Sequence, residues 1–332
     1  MTTFTSLNLS VQTDLTGGGS ATDVTDLVQS VSISLGIDQQ AAATIQFVDI
    51  PTNLNNGRPL YIYGQLGAGT PPVLFNGLVD DIDYDAGGPL TVTCTEYLSR
   101  LNERWTKEVR TYSSQDSSAV IQNLVEASGI DVSLTDIQAP SGWLLGVAAP
   151  VTLALGDVPL DLVRAIDEAE PLWVTFTGAN GAVKRRPIAL TTPVASFTYG
   201  SAPVLAMNWG YSMRGLYNAA RVTGAVYSGV PVEEVYQAAS AFVPDPPQYR
   251  TKELRSYLIE DPTRAQTVAQ ALVAYYNAPP ARLRLRCTLT PGIDPADTIT
   301  TDWGGDAFVT QVTHTISATE AVTEFQGVQP IV

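Results

Sequence analysis

The sequence predicts a mainly β protein in which two β regions flank a small α/β module. Residues 31–98 alternate between apolar and polar side chains and are divided by turn signals, and similar alternation returns after residue 190. Residues 106–190 instead carry two amphipathic helix patterns. The chain has 332 residues, enough for two or three domains, and only 15% of them are charged, which suits strands and turns better than long solvated helices.

The first β region contains five strand-like segments separated by NNG, GAGTPP and AGGP turn signals. These segments are VSISLG, AAATIQFVDI, LYIYGQL, PVLFNGLVDDIDYD and LTVTCTEYL. Their spacing is expected of an all-β barrel or sandwich. We therefore predict a β domain over residues 1–105, with one or two turns of helix at TEYLSRLNER where the chain leaves it.

The α/β module is predicted over residues 106–190. Its first helix lies in SSQDSSAVIQNLVEASGI, with Ser114 and Asp116 as N-cap candidates and Gly129 as the stop. Its second helix lies in GDVPLDLVRAIDEAE, with Asp157 as N-cap. Two strands around a Gly-Ala-Asn-Gly turn follow in LWVTFTGANGAVKRRPI, which completes the module.

The last part of the chain, residues 191–332, returns to strands in AARVTGAVYS, ARLRLRCTLT, AFVTQVTHTISA and AVTEFQGV. One helix is inserted at about residues 261–277, where Asp261 caps the helix and Pro262 takes its first position. These patterns predict a second β domain that carries an inserted helix.

Composition limits the possible partners. The net charge of −15 argues against electrostatic binding of nucleic acid, which needs clustered Lys and Arg, although an acidic surface lets a polyanion pass without binding.

Cys94 and Cys287 lie in apolar strand-like stretches without metal or redox spacing, so we predict buried free thiols. No signal-peptide pattern opens the chain and no long apolar run occurs, so we expect no membrane segment and synthesis in the cytoplasm.

Residues 78–90, LVDDIDYDAGGPL, contain four aspartates in six positions, which raises the possibility of a calcium-binding loop. The segment beginning at Asp81 has carboxylates at the first, third and fifth places of an EF-hand. The rest of the segment does not match an EF-hand loop. Ala86 occupies the position where Gly makes the turn, and Val92 occupies the position where a bidentate Glu is required. A looser cation site between Asp80 and Asp85 stays open, and no metal is assigned.

As a strand, the same segment has two different faces. The faces would hold Leu78, Asp80, Ile82 and Tyr84 on one side and Val79, Asp81, Asp83 and Asp85 on the other. Like charges about 7 Å apart along a strand repel each other in a dry setting. We therefore predict that Asp81, Asp83 and Asp85 face water, either in a solvated channel or on an ordinary barrel exterior.

The sequence offers little for catalysis. His314 is the only histidine, which excludes metal sites with two imidazoles, and it alternates with apolar residues as a packed strand residue does. Nucleophile-elbow and P-loop motifs do not occur. We predict no catalytic residue, no metal and no cofactor, although carboxylate pairs for a glycosidase are not excluded by counting.

The segment ARLRLRC places Arg282, Arg284 and Arg286 on one strand face. On a chain this acidic, we predict that the three arginines pair with carboxylates, either on a neighbouring strand or across a subunit boundary.

Taken in order, these segments resemble the hub proteins of long-tailed bacteriophage tails, the late control protein D family, and the hub part of type VI secretion spikes. PVLFNGLVDDIDYD is similar to the family's strand with a Phe-x-Gly turn, and LTVTCTEYLSRLNER to its strand leading into a Tyr-containing connection. TYSSQDSSAVIQNLVEASGI, LYNAARVTGAV and AFVTQVTHTISATEAVTEFQGV resemble its polar helix start and second-barrel strands. The succession covers about residues 30–328, and one departure is PGIDPADTI around Asp294, where the family has PGD.

The resemblance implies two tail-tube-like β-barrel domains per subunit and a homotrimer that presents six similar units to a six-fold tail tube. Such a hub joins the tube or distal tail protein to the spike or tail fibres, and it encloses a channel for the tape-measure protein and for DNA, which passes without specific binding. The expected location is the virion, at the tail tip or baseplate, and the expected role is structural rather than enzymatic.

Two alternative functions stay open at this stage. One is a tail-associated cell-wall hydrolase, an activity often fused to such hubs. The other is a host-surface carbohydrate-binding protein, for which exposed aromatic side chains would serve as platforms. The candidates for that role are Trp105, Trp143, Trp173 and Trp303.

Overall fold

The computed structural model describes residues 7–13, 21–49, 51, 54–84, 88–138, 141–211, 216–238, 249–276 and 281–329. Strands predominate throughout these ranges, which confirms the mainly β prediction. The first seven are β1 (Leu7–Thr13), β2 (Thr22–Asp23), β3 (Val28–Gly36), β4 (Ala42–Phe47), β5 (Pro59–Leu66), β6 (Val73–Tyr84) and β7 (Leu90–Thr95). Short 3₁₀ turns occur at Thr25–Leu27, Tyr97–Asn102 and Val132–Leu134.

The middle of the chain contains two helices among short strands. The elements are β8 (Arg110–Tyr112), β9 (Gln115–Asp116), α1 (Ser117–Ala127), β10 (Thr135–Ile137), β11 (Leu144–Leu145), β12 (Val151–Leu153), α2 (Pro159–Ala169), β13 (Trp173–Thr177) and β14 (Val183–Pro187). β13 and β14 pair around the Gly-Ala-Asn-Gly turn, as the sequence predicts.

The last part returns to strands and contains one helix. Its elements are β15 (Ala195–Phe197), β16 (Val204–Tyr211), β17 (Ala219–Tyr227), β18 (Val230–Gln237), β19 (Thr251–Arg255), α3 (Pro262–Tyr276), β20 (Ala281–Thr288), β21 (Thr298–Thr301), β22 (Gly305–Ser317) and β23 (Ala321–Gln329).

Two of the three predicted helix caps are present. Asp116 accepts a hydrogen bond from the first turn of α1 at 3.0 Å, and Asp261 does so for α3 at 2.9 Å. The prediction for α2 is wrong by one residue, because Val158 occupies the cap position. Asp157 instead accepts the backbone N–H of Ala154 at 2.7 Å, which closes the turn before the helix.

Thirteen strands from both ends of the chain form one continuous sheet. Its main order is β16-β20-β23-β22-β3-β4-β7-β6-β5-β1-β2, with β21 beside β22 and β15 beside β21. Strand β22 joins the two regions, because its first part pairs with β21 and residues Gln311–Ser317 pair with β3. In the described part of the chain the outermost strands do not pair with each other, so the two expected barrels are not present as separate closed sheets.

The large sheet contains one five-stranded unit twice. The order β3-β4-β7-β6-β5 in the first unit corresponds to β16-β20-β23-β22-β21 in the second, and every pair within each unit is antiparallel. Shifts of the strand register occur at equivalent places in the two units as well. The register of β3 with β4 shifts between Val28 and Ser30, and that of β16 with β20 shifts between Val204 and Ala206. This internal repeat is not evident from the sequence.

Two main hydrophobic cores lie against this framework. The first core contains residues of both five-stranded units, such as Ile33 and Val92 from the first and Leu285 and Phe325 from the second. The second core joins α1, α2 and α3 to the small sheet of β17, β18 and β19. The helical module therefore packs with the segment inserted between β16 and β20.

Candidate functional site

The large sheet has one face that covers the first core and one face that is polar. Because cross-strand partners in antiparallel pairs project to the same side, the second face is continuous from Asp81 through Thr93, Thr44 and Ser32 to Thr315. We call it the polar face. Its members, all at least partly exposed, include Asp81, Asp83, Thr91, Thr93, Thr44, Gln46, Ser30, Ser32, Ser34, Gln311, Thr313, Thr315, Glu324, Gln326, Arg282, Arg284, Arg286 and Asn208.

Uncharged side chains in the middle of the polar face bond to one another. Ser30 Oγ donates to Gln46 Oε1 at 2.9 Å. Gln311 Nε2 donates to Ser34 Oγ at 3.2 Å, and Gln326 Nε2 donates to Gln311 Oε1 at 2.7 Å. The bond between Gln311 and Ser34 crosses the joint between the two five-stranded units, and the other two lie on either side of it, so hydroxyl and amide groups form a surface without charge there.

The acidic end of the polar face lies on β6. Asp81 pairs with Thr93 and Asp83 with Thr91, and both carboxylates are exposed, whereas Asp85 lies outside the described residues. Among the described residues no group of three His, Cys, Asp or Glu side chains is arranged to hold a metal ion. Asp81 and Asp83 are thus exposed residues at the end of β6.

A β-bulge at Asp80 corrects the predicted two-faced pattern of this strand. The register with β7 shifts between Val79 and Asp81, so the alternation changes phase there. Val79 is consequently buried in the first core, on the side of Ile82. Leu78, which was predicted to share a face with Ile82, instead lies on the side of the aspartates and packs into the second core.

The basic end of the polar face lies on β20. Arg282, Arg284 and Arg286 alternate with buried residues and are all exposed. Arg286 forms ion pairs with Glu320 and, at 3.3 Å, with Glu324. Within the described ranges, Arg282 and Arg284 have no carboxylate oxygen within 4.0 Å.

A cleft of about 700 Å³ opens beside these arginines, between β20, the helical module and α3. Its lining includes Arg282, Arg284, Asp38 and Glu253, so charges of both signs surround it.

His314 is a packed strand residue, as predicted. Its side chain is 2% exposed, and its Nδ1 lies 2.9 Å from Thr323 Oγ1. Burial lowers the pKa of His314 to about 4, so the ring is neutral at physiological pH. Cys94 and Cys287 are buried free thiols, also as predicted, and burial raises the pKa of each to about 12.

The sequence did not reveal an ion cluster around Arg185, whose side chain is fully buried. Arg185 contacts Asp167, Glu170 at 3.1 Å and Thr175 at 3.0 Å. Burial raises the pKa of Asp167 and Glu170, and the Arg185 charge opposes that rise. The basic KRRP segment is the one local signal, but nothing in that segment distinguishes the buried Arg185 from its partly exposed neighbour Arg186.

The four tryptophans considered as carbohydrate platforms differ in exposure. Trp105 is buried, and the guanidinium groups of Arg264 and Arg185 lie over Trp143 and Trp173. Only Trp303 is largely exposed, at 65%, and its ring is 5.9 Å from that of Tyr199.

No protein-family model matches the chain, and no curated protein sequence matches it. Solved structures do match over almost the whole chain. The 43 kDa tail protein of a Shewanella oneidensis prophage is 11% identical with a TM-score of 0.69, over 98% of this chain and 99% of that one. A tail protein of Neisseria meningitidis is 11% identical with a TM-score of 0.71, over 97% and 96%.

A component of the Escherichia coli type VI secretion system, itself structurally similar to bacteriophage T4 tail proteins, is 12% identical with a TM-score of 0.56, over 98% of this chain and 77% of that one. The chain therefore has the fold of phage tail proteins. Within that class, the likeness extends to a secretion-system component. No helix in the described ranges is long and apolar enough to span a membrane.

Proposed function

We propose that this chain is a structural hub protein of a phage tail, located in the virion at the tail tip or baseplate. The observation that carries the proposal is the polar face, which two copies of one five-stranded unit share without interruption. The likeness to phage tail proteins supports the same role. The function is assembly and passage rather than turnover of a substrate.

In this proposal three subunits form a ring that encloses a channel. Residues 1–105 and residues 191–332 each supply one tail-tube-like barrel unit, so three chains present six units to the tail tube. Residues 106–190 form the α/β module, which packs beside Arg282 and Arg284 at the basic end of the polar face. The polar face lines the channel, and Asp81 and Asp83 face its lumen.

The chemistry of the polar face suits a passage for a polyanion. Its central strands expose hydroxyl and amide groups, many of which bond to one another and offer no cation for phosphate to bind, and its three arginines are confined to β20 at one end. Asp81 and Asp83 add negative charge that repels phosphate. DNA and the tape-measure protein therefore pass through without specific binding. The ring joins the distal tail or tail tube protein to the spike or tail fibres.

The channel role is tested by reversing the charge of its acidic side. The variant Asp81→Lys is expected to assemble into tails yet release DNA more slowly, because a lysine in the lumen attracts phosphate. The matched control is Asp26→Lys, which changes an exposed aspartate away from the polar face. Release of DNA at the wild-type rate from fully assembled variant particles would contradict the channel assignment.

The two alternative functions have separate tests. A cell-wall hydrolase would clear peptidoglycan and lose that activity when one carboxylate pair is changed. A carbohydrate-binding protein would bind host glycans through the exposed ring of Trp303 and lose binding in Trp303→Ala. Either positive result would replace the structural proposal as the primary role.

A further inference from the structure

The joint between the two five-stranded units within the chain is an antiparallel strand pair. Residues Gln311–Ser317 at the end of β22 pair with residues Ser30–Gly36 of β3. Thr313 lies opposite Ser34 in this joint, and His314 lies opposite Ile33. Strand β22, the fourth strand of the second unit, thus pairs with β3, the first strand of the first unit.

The strands that correspond to β22 and β3 at the other ends of the two units have unpaired edges in the described part of the chain. In the first unit the strand equivalent to β22 is β6, and in the second unit the strand equivalent to β3 is β16. Within the described part of the chain, Asp81–Tyr84 pair only with β7, because the pairing of β5 with β6 ends at Leu78. Strand β16 likewise pairs only with β20. Open edges of this kind are templates for pairing with another chain.

The register of the repeat identifies equivalent residues on these two edges. Asp83 corresponds to Thr313, because their partners Thr91 and Glu324 hold the same place in β7 and β23. By the same comparison Tyr84 corresponds to His314. On the other edge, Gly210 corresponds to Ser34 and Trp209 to Ile33.

We propose that the end of β6 in one subunit pairs antiparallel with β16 of a second copy of this chain, with Asp83 opposite Gly210 and Tyr84 opposite Trp209. This subunit joint rests on the proposed ring and specifies how the ring closes. It repeats the joint that β22 and β3 form within one chain, so the polar face continues from one subunit to the next.

Charge supports a second copy as the occupant of the open edge. Arg282 is the neighbour of Gly210 on β20 and has no carboxylate within 4.0 Å in the described ranges. Because Gly210 has no side chain, Asp83 of the next subunit and Arg282 face each other across it on the polar face. The acidic end of one subunit thus meets the basic end of another.

The opposite side of the joint is apolar. Tyr84 is 59% exposed although it points to the same side of the sheet as Ile82, which packs against the first core. Trp209 packs partly against that core in its own subunit. Pairing of the two strands places these rings side by side and extends the first core across the subunit boundary.

The test is a disulfide between subunits. The double variant Asp83→Cys with Gly210→Cys is expected to give covalent multimers of the whole ring on oxidation. The two positions lie on strands separated by six others within one chain, so they do not bond within it. A Cβ at Gly210 meets nothing closer than Asn208 Oδ1 at 4.0 Å, so cysteine is accommodated. The native thiols are buried and stay in place.

Two controls make the disulfide test specific. Thr313→Cys with Ser34→Cys copies the joint within one chain and is expected to oxidise without forming multimers. Ile82→Cys with Gly210→Cys places the thiols on opposite faces of the proposed pair and is expected to give no multimer. Multimers from this second control equal to those from the proposed pair would overturn the register.

The failures of the two proposals are distinguishable. Rings that form normally, yet give no disulfide at residues 83 and 210 while the within-chain control oxidises, would overturn the joint and leave the hub proposal standing. A chain that stays monomeric even with its tail tube protein would overturn both.

A charge swap provides an independent test without cysteines. Asp83→Arg and Arg282→Asp are each expected to weaken ring assembly about tenfold, because each places like charges together, whereas the double variant restores assembly. Equal weakening in the double variant would overturn the contact.

Discussion

His314 and Tyr84 occupy the same position in the two five-stranded units, yet His314 is 2% exposed and Tyr84 is 59% exposed. The difference has one cause. His314 has a strand on each side, β23 and β3, whereas Tyr84 has β7 on one side and no strand of the described chain on the other. The same strand position is therefore interior in one unit and an open edge in the other.

The first prediction concerns the backbone at this edge. In the isolated chain, amides of residues 81–84 should exchange with solvent faster than those of residues 311–314, because only the latter segment has strands on both sides. Hydrogen exchange followed by mass spectrometry measures both segments in one sample. After ring assembly the exchange rates should become similar, and a lasting difference would contradict the proposed joint.

The second prediction concerns the buried cluster around Arg185. Arg185→Met leaves the buried Glu170 and the partly buried Asp167 without their cation and should lower the free energy of unfolding by about 3–5 kcal/mol. The adjacent Arg186→Met removes an exposed ion pair with Asp136 and should cost at most about 1 kcal/mol. Urea unfolding of both variants makes the comparison, and equal losses would argue against the burial account.

The third prediction concerns the pH dependence of folding stability that is due to Glu96. Burial raises the pKa of Glu96 to about 7, so the folded state holds a proton that the unfolded state releases near pH 4.5. Stability therefore falls as pH rises from about 4.5 to 7, by about 3 kcal/mol in total. Glu96→Gln should remove this fall when unfolding is measured at pH 5 and pH 8. An unchanged pH slope in the variant would contradict the assignment.

The fourth prediction concerns His314 and has the opposite sign. Burial lowers its pKa from 6.5 to about 4, so the unfolded state binds a proton first as pH falls. Stability is lost between about pH 6.5 and 4, again by about 3 kcal/mol. His314→Gln should make the protein less sensitive to acid over that range in unfolding experiments. Between pH 4.5 and 6.5 the two effects oppose each other in the wild-type chain.

Local patterns in the sequence predicted most of the strands, the three helices and the caps at Asp116 and Asp261. They failed where a single residue changes the geometry, as at the Asp80 bulge, since alternation alone does not show an extra residue in a strand. The burial of Arg185 was also missed, because its partners Asp167 and Glu170 come from a different element. The internal repeat depends on pairing between distant segments, which no local pattern encodes.

Closure of three copies of this chain into a ring around a channel is measurable by native mass spectrometry of the protein with its tail tube protein. We expect a closed complex with three copies of the 35.4 kDa chain. The same complex should lose subunits when the contact between Asp83 and Arg282 is reversed on one side only. Detection of the monomer alone, at concentrations where the tube protein itself assembles, would contradict the account.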